Sequence, residues 1–187
     1  MKKYELTSET KIVFGHILYR IKALSSFGCV SAGDLGGFLE SEKNLSQNGN
    51  AWVSGNAEVY GNAEVSGNAR VSGNARVSGN AWVSGNARVS GNARVSGNAW
   101  VSGNAEVSKI GSIFWIGAVG SRNDTATFFR CTDGVIRVTC GCFFGNLDEF
   151  AKKVRKTHGD NDHAKVYMLA IDMAKIRIST EKEKTEE

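Results

Sequence analysis

Ten consecutive copies of one hexapeptide, Gly-Asn-Ala-x-Val-Ser, occupy residues 49–108 and constrain the fold more than any other feature of the sequence. Tyr60 stands where serine is expected and is the one departure outside the variable position x. In an extended chain, side chains two residues apart point to the same side, so alanine and valine face one way while x and serine face the other. Glycine and asparagine both tolerate a positive φ and can form a corner between copies. The repeat therefore predicts short strands, joined by corners, that wind into a β-solenoid.

The spacing of a small residue two positions before an aliphatic one, as in Ala51 and Val53, resembles the hexapeptide repeat of left-handed parallel β-helices. In that family three hexads make one triangular coil, so residues 18 positions apart lie on adjacent coils, about 4.8 Å apart. A disordered tract of low complexity is the alternative, and the unbroken inward row of valine argues against it. The chain has 22 glycines but no proline, which excludes a collagen-like structure. We expect a mainly β protein built around a left-handed parallel β-helix.

Residues 1–48 predict an N-terminal β cap, because an open solenoid edge would pair with other chains. Two apolar runs flank Gly15-His16, which we predict to be a two-residue hairpin turn. The resemblance to a known family lies in four segments: Ile21-Lys22-Ala23-Leu24 through Phe27, Gly33-Asp34-x-Gly36-Gly37-Phe38, Leu45-x-Gln47 and Gly49-Asn50-x-Trp52-Val53. Together they resemble the start of the YdcK-type hexapeptide-repeat proteins, which are bacterial and phage-borne. The resemblance covers roughly residues 2–108 and implies the left-handed β-helix fold, with no catalytic residues to carry over.

Residues 109–179 break the repeat and predict a small C-terminal α+β domain, with residues 180–187 as a charged tail. Asn146 or Asp148 is a suitable cap for a first helix, because the apolar residues that follow are spaced for one buried face. A second helix is expected over residues 164–175. A domain of this size is marginal alone, so we expect it to pack on the end of the solenoid or on a neighbouring subunit.

A metal site at the cysteines is the first chemistry to consider. Of the four cysteines, Cys131 and Cys140 lie on a hairpin that Asp133-Gly134 is predicted to close as a type I′ turn. In a regular register Cys140 pairs with Thr127, four rows from Cys131, which is about 13 Å. That distance is too great for one tetrahedral zinc ion. We therefore predict free thiols, no metal site and no cofactor.

The variable positions of the hexads sort onto three faces when residues 18 apart are stacked. Arginine lies above arginine on two faces, and tryptophan lies above tryptophan on the third. The candidate ligand-binding residues are Arg70 and Arg88 on the first face, Arg76 and Arg94 on the second, and Trp82 and Trp100 on the third. Like charges on adjacent rungs repel, and exposed tryptophan pairs are unusual on a monomer. Two interpretations stay open: long side chains at solvent positions, or contact surfaces for another subunit or for an anionic ligand that can stack.

The net charge of +4 and a pI near 8.9 permit an anionic partner. No P-loop or dinucleotide fingerprint is present, and no run of 18 apolar residues or apolar secretion signal, so we expect a cytoplasmic protein. The expected function is that of a non-catalytic assembly and recognition protein of the phage or mobile-element type. A nucleotide signal or nucleic acid is the expected anionic ligand, because arginine binds phosphate and tryptophan stacks on bases. The tryptophan pair and the small C-terminal domain favour a homo-oligomer, expected to be a trimer.

A trimeric acyltransferase that uses an acyl-CoA donor is the alternative function. Hexapeptide β-helices are best known as such enzymes, and these typically use a histidine at the subunit interface as general base. The hexads contain no histidine, and the three in the chain are His16, His158 and His163. A base would have to come from the C-terminal domain of a neighbouring subunit, so a non-catalytic function is favoured.

Overall fold

The chain begins with three antiparallel strands in the computed structural model, which describes residues 2–178. They are β1 (Tyr4–Val13), β2 (His16–Ala23) and β3 (Leu35–Leu39), followed by a 3-10 turn at Glu42–Asn44. β3 also pairs in parallel with the second hexad, so the cap and one face of the solenoid form a single six-stranded sheet. The predicted charged tail at residues 180–187 lies outside the described residues.

The ten hexads form a parallel β-solenoid. Each contributes a two-residue strand made of position x and valine: β4 (Trp52–Val53), β5 (Glu58–Val59), β6 (Glu64–Val65), β7 (Arg70–Val71), β8 (Arg76–Val77), β9 (Trp82–Val83), β10 (Arg88–Val89), β11 (Arg94–Val95), β12 (Trp100–Val101) and β13 (Glu106–Val107). Each of the first seven of these strands pairs with the strand three hexads later, as Trp52 does with Arg70, which confirms the predicted repeat of 18 residues per coil. Every alanine and valine of the hexads is buried, which confirms the inward row. The left-handed sense of the winding stays a prediction.

The corners and the rungs repeat one hydrogen-bonding scheme. At a corner, Ala57 N donates to Ser54 O at 3.3 Å, and Gly55 between them has a φ of +63°. A β-turn with positive φ at its first central position favours glycine there, which explains why every hexad has glycine at this position. The asparagine side chains stack along the corners, and Asn50 Nδ2 donates to Asn68 Oδ1 at 3.1 Å. These ladders link successive coils outside the backbone.

The N-terminal segment satisfies the carbonyl groups that the first coil would otherwise leave open. Lys3 Nζ donates to Ala51 O at 2.9 Å, and Asn44 Nδ2 donates to Ala63 O at 2.8 Å. On the remaining face the backbone of β3 donates, through Phe38 N, to a hexad carbonyl 2.9 Å away. All three edges are therefore paired, and the open edge that would recruit another strand is removed.

The residues after the solenoid form an antiparallel sheet and two helices. A 3-10 turn at Ile110–Ser112 leads into β14 (Ile113–Val119), β15 (Asp124–Arg130), β16 (Ile136–Cys140) and β17 (Phe143–Asn146), then α1 (Leu147–His158) and α2 (Asp162–Arg177). The side chain of Asn146 accepts from Glu149 N at 2.9 Å, which confirms Asn146 as the cap of α1. The sheet covers the last coil, since Thr127 Oγ1 accepts from Trp100 N at 3.0 Å.

Two predicted hairpin turns are wrong by one residue. Val13 pairs with His16, so the first turn is Phe14-Gly15 and not Gly15-His16. Both turn residues have positive φ, +48° and +84°, as a type I′ turn requires. His16 instead belongs to β2, where it bonds Glu40.

At the second hairpin Ala126, and not Thr127, pairs with Cys140. Gly134 N donates to Cys131 O at 2.9 Å, so three residues form the loop. Gly134 has a φ of +79°, but Asp133 does not have the positive φ that a type I′ turn needs. Asp133 is held by ion pairing with Arg137 at 2.7 Å, which favours the longer loop.

Two hydrophobic cores follow from this arrangement. The first runs through the solenoid and includes Tyr4 and Leu45 at the cap and Phe129 at the other end. The second lies between the antiparallel sheet and the helices, around Phe128 and Phe150. Within residues 2–178, no helix is both long and apolar enough to cross a membrane.

Candidate functional site

The six predicted ligand-binding residues lie on three separate sheets, two on each. Arg70 and Arg88 belong to the sheet of β4, β7, β10 and β13, while Arg76 and Arg94 belong to the sheet that continues from the cap. Trp82 and Trp100 belong to the third sheet, with β6. Each pair is in register, as predicted. Because the sheets are different sides of the solenoid, the structure does not bring the six residues into one site for a small ligand.

The tryptophan pair is partly covered by the chain itself. The two rings of Trp82 and Trp100 are stacked, with centroids 5.1 Å apart and planes 10° from parallel. Trp82 is 42% exposed, and its Nε1 donates to Ser66 Oγ at 3.1 Å. Trp100 is half-buried, because Thr127 and Thr139 of the C-terminal sheet bond its backbone. The exposed tryptophan surface is therefore mainly that of Trp82.

The row of Arg70 and Arg88 is open to solvent. Both side chains are exposed, and neither has a carboxylate partner within the described part of the chain. Glu106 is the next residue in the row, and it pairs with Arg130 of the C-terminal sheet at 3.4 Å. This face offers the two cations of Arg70 and Arg88. The aromatic residue in the same row is Trp52, and its side chain is buried.

The row of Arg76 and Arg94 is different because its two members have different surroundings. Arg76 Nε lies 2.7 Å from Glu58 Oε2, and Glu58 also pairs with Lys11 at 2.8 Å. Glu58 is only 7% exposed, so this carboxylate is largely withdrawn from solvent and held by two cations. Arg94, one rung further on, has no carboxylate partner among residues 2–178. The row therefore carries a surplus of positive charge at Arg94.

Arg94 lines a groove of about 500 Å³ between the solenoid and the C-terminal part of the chain. The other lining residues are Ser96, Ile110, Ile113, Phe114, Trp115, Met173 and Arg177. Arg177 is the last residue of α2, and it too has no carboxylate partner in the described region. Phe114 and Trp115 are half-exposed on β14. The groove therefore combines two guanidinium groups that have no carboxylate partner within residues 2–178 with two aromatic rings and an apolar floor.

Of these groove residues, the sequence predicts only Arg94 as a ligand-binding residue. Phe114 and Trp115 belong to an apolar stretch, and no sequence pattern connects Arg177 to that stretch or to Arg94. Arg94, Trp115 and Arg177 are distant in sequence. They line one groove because β14 turns back over the last coil and α2 packs on β14. No local signal could have identified Arg177 as a neighbour of Arg94.

A comparison with protein families identifies the repeat. Residues 63–76, 69–85 and 87–103 match the family model described as the YdcK beta solenoid repeat. Residues 63–103 of the solenoid are therefore similar to the YdcK beta solenoid repeat. The match includes Arg94 and both exposed faces of arginine, but it does not extend to β14 or α2, which form the other wall of the groove. No curated protein matches the chain in sequence.

The one irregular hexad of the solenoid, which contains Tyr60, contacts a histidine of the cap. The ring of Tyr60 lies 5.1 Å from that of His16, whose Nδ1 is 2.8 Å from Glu40 Oε1. The other oxygen of Glu40 accepts from Gly61 N at 2.6 Å. The hydrogen bond to His16, followed by that from Gly61, holds the pKa of the Glu40 carboxyl below its usual range. This cluster ties the cap to the corner at Gly61, which gives Tyr60 a structural reason.

The remaining polar groups that the sequence singled out lie away from the groove. The rings of His158 and His163 are 5.6 Å apart where α1 turns into α2. Cys131 is buried and Cys140 half-buried, and burial raises the pKa of both thiols. Across residues 2–178 the His, Cys, Asp and Glu side chains form no group of three that could hold a metal ion.

Proposed function

We propose that the protein is a non-catalytic recognition protein that binds an anionic, aromatic ligand in the groove where the solenoid meets β14 and α2. The observation that supports this most directly is the position of Arg94 and Arg177 on one groove beside Trp115. Two guanidinium groups without carboxylate partners in the described chain provide donors for phosphate, and the indole provides a surface for a base. A nucleotide combines these two properties.

The chemistry of arginine favours an anion over a neutral ligand. A guanidinium group keeps its charge at every physiological pH and presents a planar fork of donors that matches phosphate. Each charge-assisted hydrogen bond contributes about 1.5–3 kcal/mol when its surroundings exclude water. Ile113 and Met173 contribute apolar surface to the groove beside these cations.

The groove is a better candidate than the row of Arg70 and Arg88. The arginines of that row are exposed, as are Arg94 and Arg177, but the aromatic residue stacked in the row, Trp52, is buried. In the groove, cations and aromatic rings face one volume of about 500 Å³, which is in the range of small-molecule sites. The arginines of the first face therefore provide matched controls.

Isothermal calorimetry with adenosine and guanosine mono- and diphosphates tests the proposal. We expect binding by the wild type, and a loss of at least tenfold in affinity for Arg94→Gln and for Arg177→Gln. Arg70→Gln removes the same charge from another face and is expected to bind like the wild type. If no nucleotide binds at millimolar concentration, or if Arg70→Gln weakens binding as much as Arg94→Gln, the proposal is wrong.

Self-association is a second proposal, and the outer side of α2 favours it. Val166, Leu169, Met173 and Ile176 are 40%, 64%, 51% and 88% exposed. Their spacing is that of the a and d positions of two heptads, the pattern through which helices pack on each other. The opposite side of α2 is buried on the sheet, so the helix is apolar on both sides. A second or third copy of the chain would cover the outer row, consistent with the trimer expected from the sequence.

The acyltransferase alternative has no specific support among the contacts described. His16 bonds Glu40 at the cap, and His158 and His163 lie at the turn between the helices. None of the three lines the groove of Arg94. The phage or mobile-element setting and the cytoplasmic location stay predictions from the sequence.

A further inference from the structure

We propose that the anionic ligand is a single-stranded oligonucleotide that occupies two adjoining subsites on one face of the solenoid. This inference rests on the proposed function, because the first subsite is the groove of Arg94, Trp115 and Arg177. The second subsite lies next to it along the same sheet, toward the hairpin of β1 and β2. The observations that carry the inference are a shared boundary, an aromatic ring at each end, and cations between the rings.

The second subsite is a pocket of about 190 Å³. Its lining residues are Phe14, Tyr60, Arg76, Ser78, Arg94, Val95 and Ser96. Arg94 and Ser96 also line the groove, so the two cavities adjoin at this pair. Arg76 and Arg94 are in register on adjacent coils, which places their backbones about 4.8 Å apart. A chain with successive phosphates can therefore contact first one and then the other guanidinium group.

Phe14 is the aromatic ring at the far end, and its backbone conformation is unfavourable for this residue type. It is the first turn residue of the hairpin and has a φ of +48°, where asparagine or glycine is preferred. Its side chain is 77% exposed, and its ring lies 5.3 Å from the Arg76 guanidinium. A bulky residue in the left-handed region costs stability, and such cost concentrates where a side chain binds something. An exposed ring beside a guanidinium group is a stacking surface for a base.

The charges along this path favour a polyanion over a single phosphate. Arg76 and Lys11 share the one carboxylate of Glu58, which leaves one surplus positive charge near Phe14. Arg94 and Arg177 add two more that have no carboxylate partner within residues 2–178. A mononucleotide has one base and could stack on Phe14 or on Trp115, but not on both. An oligonucleotide reaches both rings and lays its backbone over the arginines between them.

The experiment compares ligands of increasing length on the wild type and on a variant of the second subsite. The probes are thymidine monophosphate and fluorescent thymidylate oligomers of two, four and six residues, titrated by calorimetry and anisotropy. We expect the six-residue oligomer to bind at least tenfold more tightly than the monophosphate. Phe14→Asn should lose about tenfold in affinity for the six-residue oligomer and keep the affinity for the monophosphate, because a stacked base contributes on this scale.

Phe14→Asn also separates binding from folding. Asparagine is a preferred residue at this turn position, so the melting temperature should be unchanged or higher than that of the wild type. Ile12→Thr is the matched control, since Ile12 is 74% exposed on the same hairpin and does not line either cavity. This variant is expected to bind all oligomers like the wild type.

The possible outcomes distinguish the two proposals. If the monophosphate binds as tightly as the six-residue oligomer, or if Phe14→Asn binds the oligomer like the wild type, the two-subsite inference is overturned and the proposed function stands. If no thymidine probe binds, the two-subsite inference is overturned, and the proposed function is overturned as well if the adenosine and guanosine nucleotides do not bind either. Tighter binding of a duplex than of a single strand of equal length also contradicts the inference, because paired bases cannot stack on Phe14 and Trp115.

Discussion

Arg94 and Arg76 are neighbours on adjacent coils of the same sheet, yet among residues 2–178 only Arg76 of the two bonds a carboxylate, that of Glu58 at 2.7 Å. The repeat makes the two positions identical in local sequence. Their difference comes from the ends of the solenoid, where the second hexad provides Glu58 on one side and β14 provides aromatic rings on the other. Within residues 2–178 the guanidinium group of Arg94 has no carboxylate partner, so its positive charge is available to an anionic ligand.

The affinity for nucleotides should fall with salt, and the two arginines should account for most of that dependence. Binding is expected to weaken about tenfold between 50 and 500 mM salt, because phosphate contacts are screened. In Arg94→Gln, which keeps one of the two arginines, the slope of log affinity against log salt should be about half that of the wild type. Calorimetry at four salt concentrations measures both slopes. An unchanged slope in the variant would mean that Arg94 does not contact a phosphate.

The valine row should not tolerate a charge. In Val83→Asp a carboxylate would be buried in the middle of the solenoid, since Val83 has no exposed surface. We expect a loss of about 3–5 kcal/mol in the free energy of unfolding, or aggregation. Arg88→Asp introduces the same side chain at an exposed position of the next hexad and should change stability by less than about 1 kcal/mol. Equal melting of Val83→Asp and wild type would refute the inward valine row.

The stability of the cap should rise with pH because of Lys3. Burial lowers the pKa of Lys3 from 10.5 to about 8. Between pH 8 and 10.5 the unfolded chain therefore binds more protons at this amine than the folded chain, so its contribution to the free energy of unfolding increases with pH. Lys3→Met lacks the amine and isolates the effect.

The wild type should gain roughly 1–2 kcal/mol over Lys3→Met between pH 7.5 and 9.5, measured by urea unfolding. Lys2→Met is the control, since Lys2 is exposed and pairs only with Glu42 at 2.8 Å. An advantage of the wild type over Lys3→Met that decreases with pH would contradict the burial of the amine.

The outer row of α2 should determine the oligomeric state. Light scattering of the wild type at micromolar concentration is expected to give a multiple of 20.1 kDa, with three copies as the expected form. Leu169→Glu places a charge in the middle of the row and should return the chain to 20.1 kDa with its melting temperature nearly unchanged. Trp82→Glu tests the tryptophan pair separately. If Trp82→Glu dissociates the oligomer and Leu169→Glu does not, the interface lies on the solenoid; a wild type of 20.1 kDa rejects self-association.

The solenoid was predictable from the sequence because its strands and corners follow from a local, repeated pattern, while the number of hexads in a coil came from the family resemblance. Alanine and valine two residues apart define the inward side, glycine with positive φ defines the corner, and three hexads close a coil. Errors of one residue remained at Phe14-Gly15 and at the hairpin after Arg130, where the register depends on cross-strand partners. Asp133 bonds Arg137, and His16 bonds Glu40, and neither contact has a sequence signal.

Which surface is the candidate site depends on tertiary contacts that the sequence does not reveal. From the sequence, Arg94 was equivalent to Arg70, Arg76 and Arg88, because each occupies the same position of an identical hexad. The chain then places Trp115 and Arg177 beside Arg94 by packing β14 and α2 on one end of the solenoid. Such a site is assembled from residues that are far apart along the chain, and their contact depends on how two separate cores pack. A repeat makes its members equivalent, and only the non-repetitive ends of the fold distinguish them.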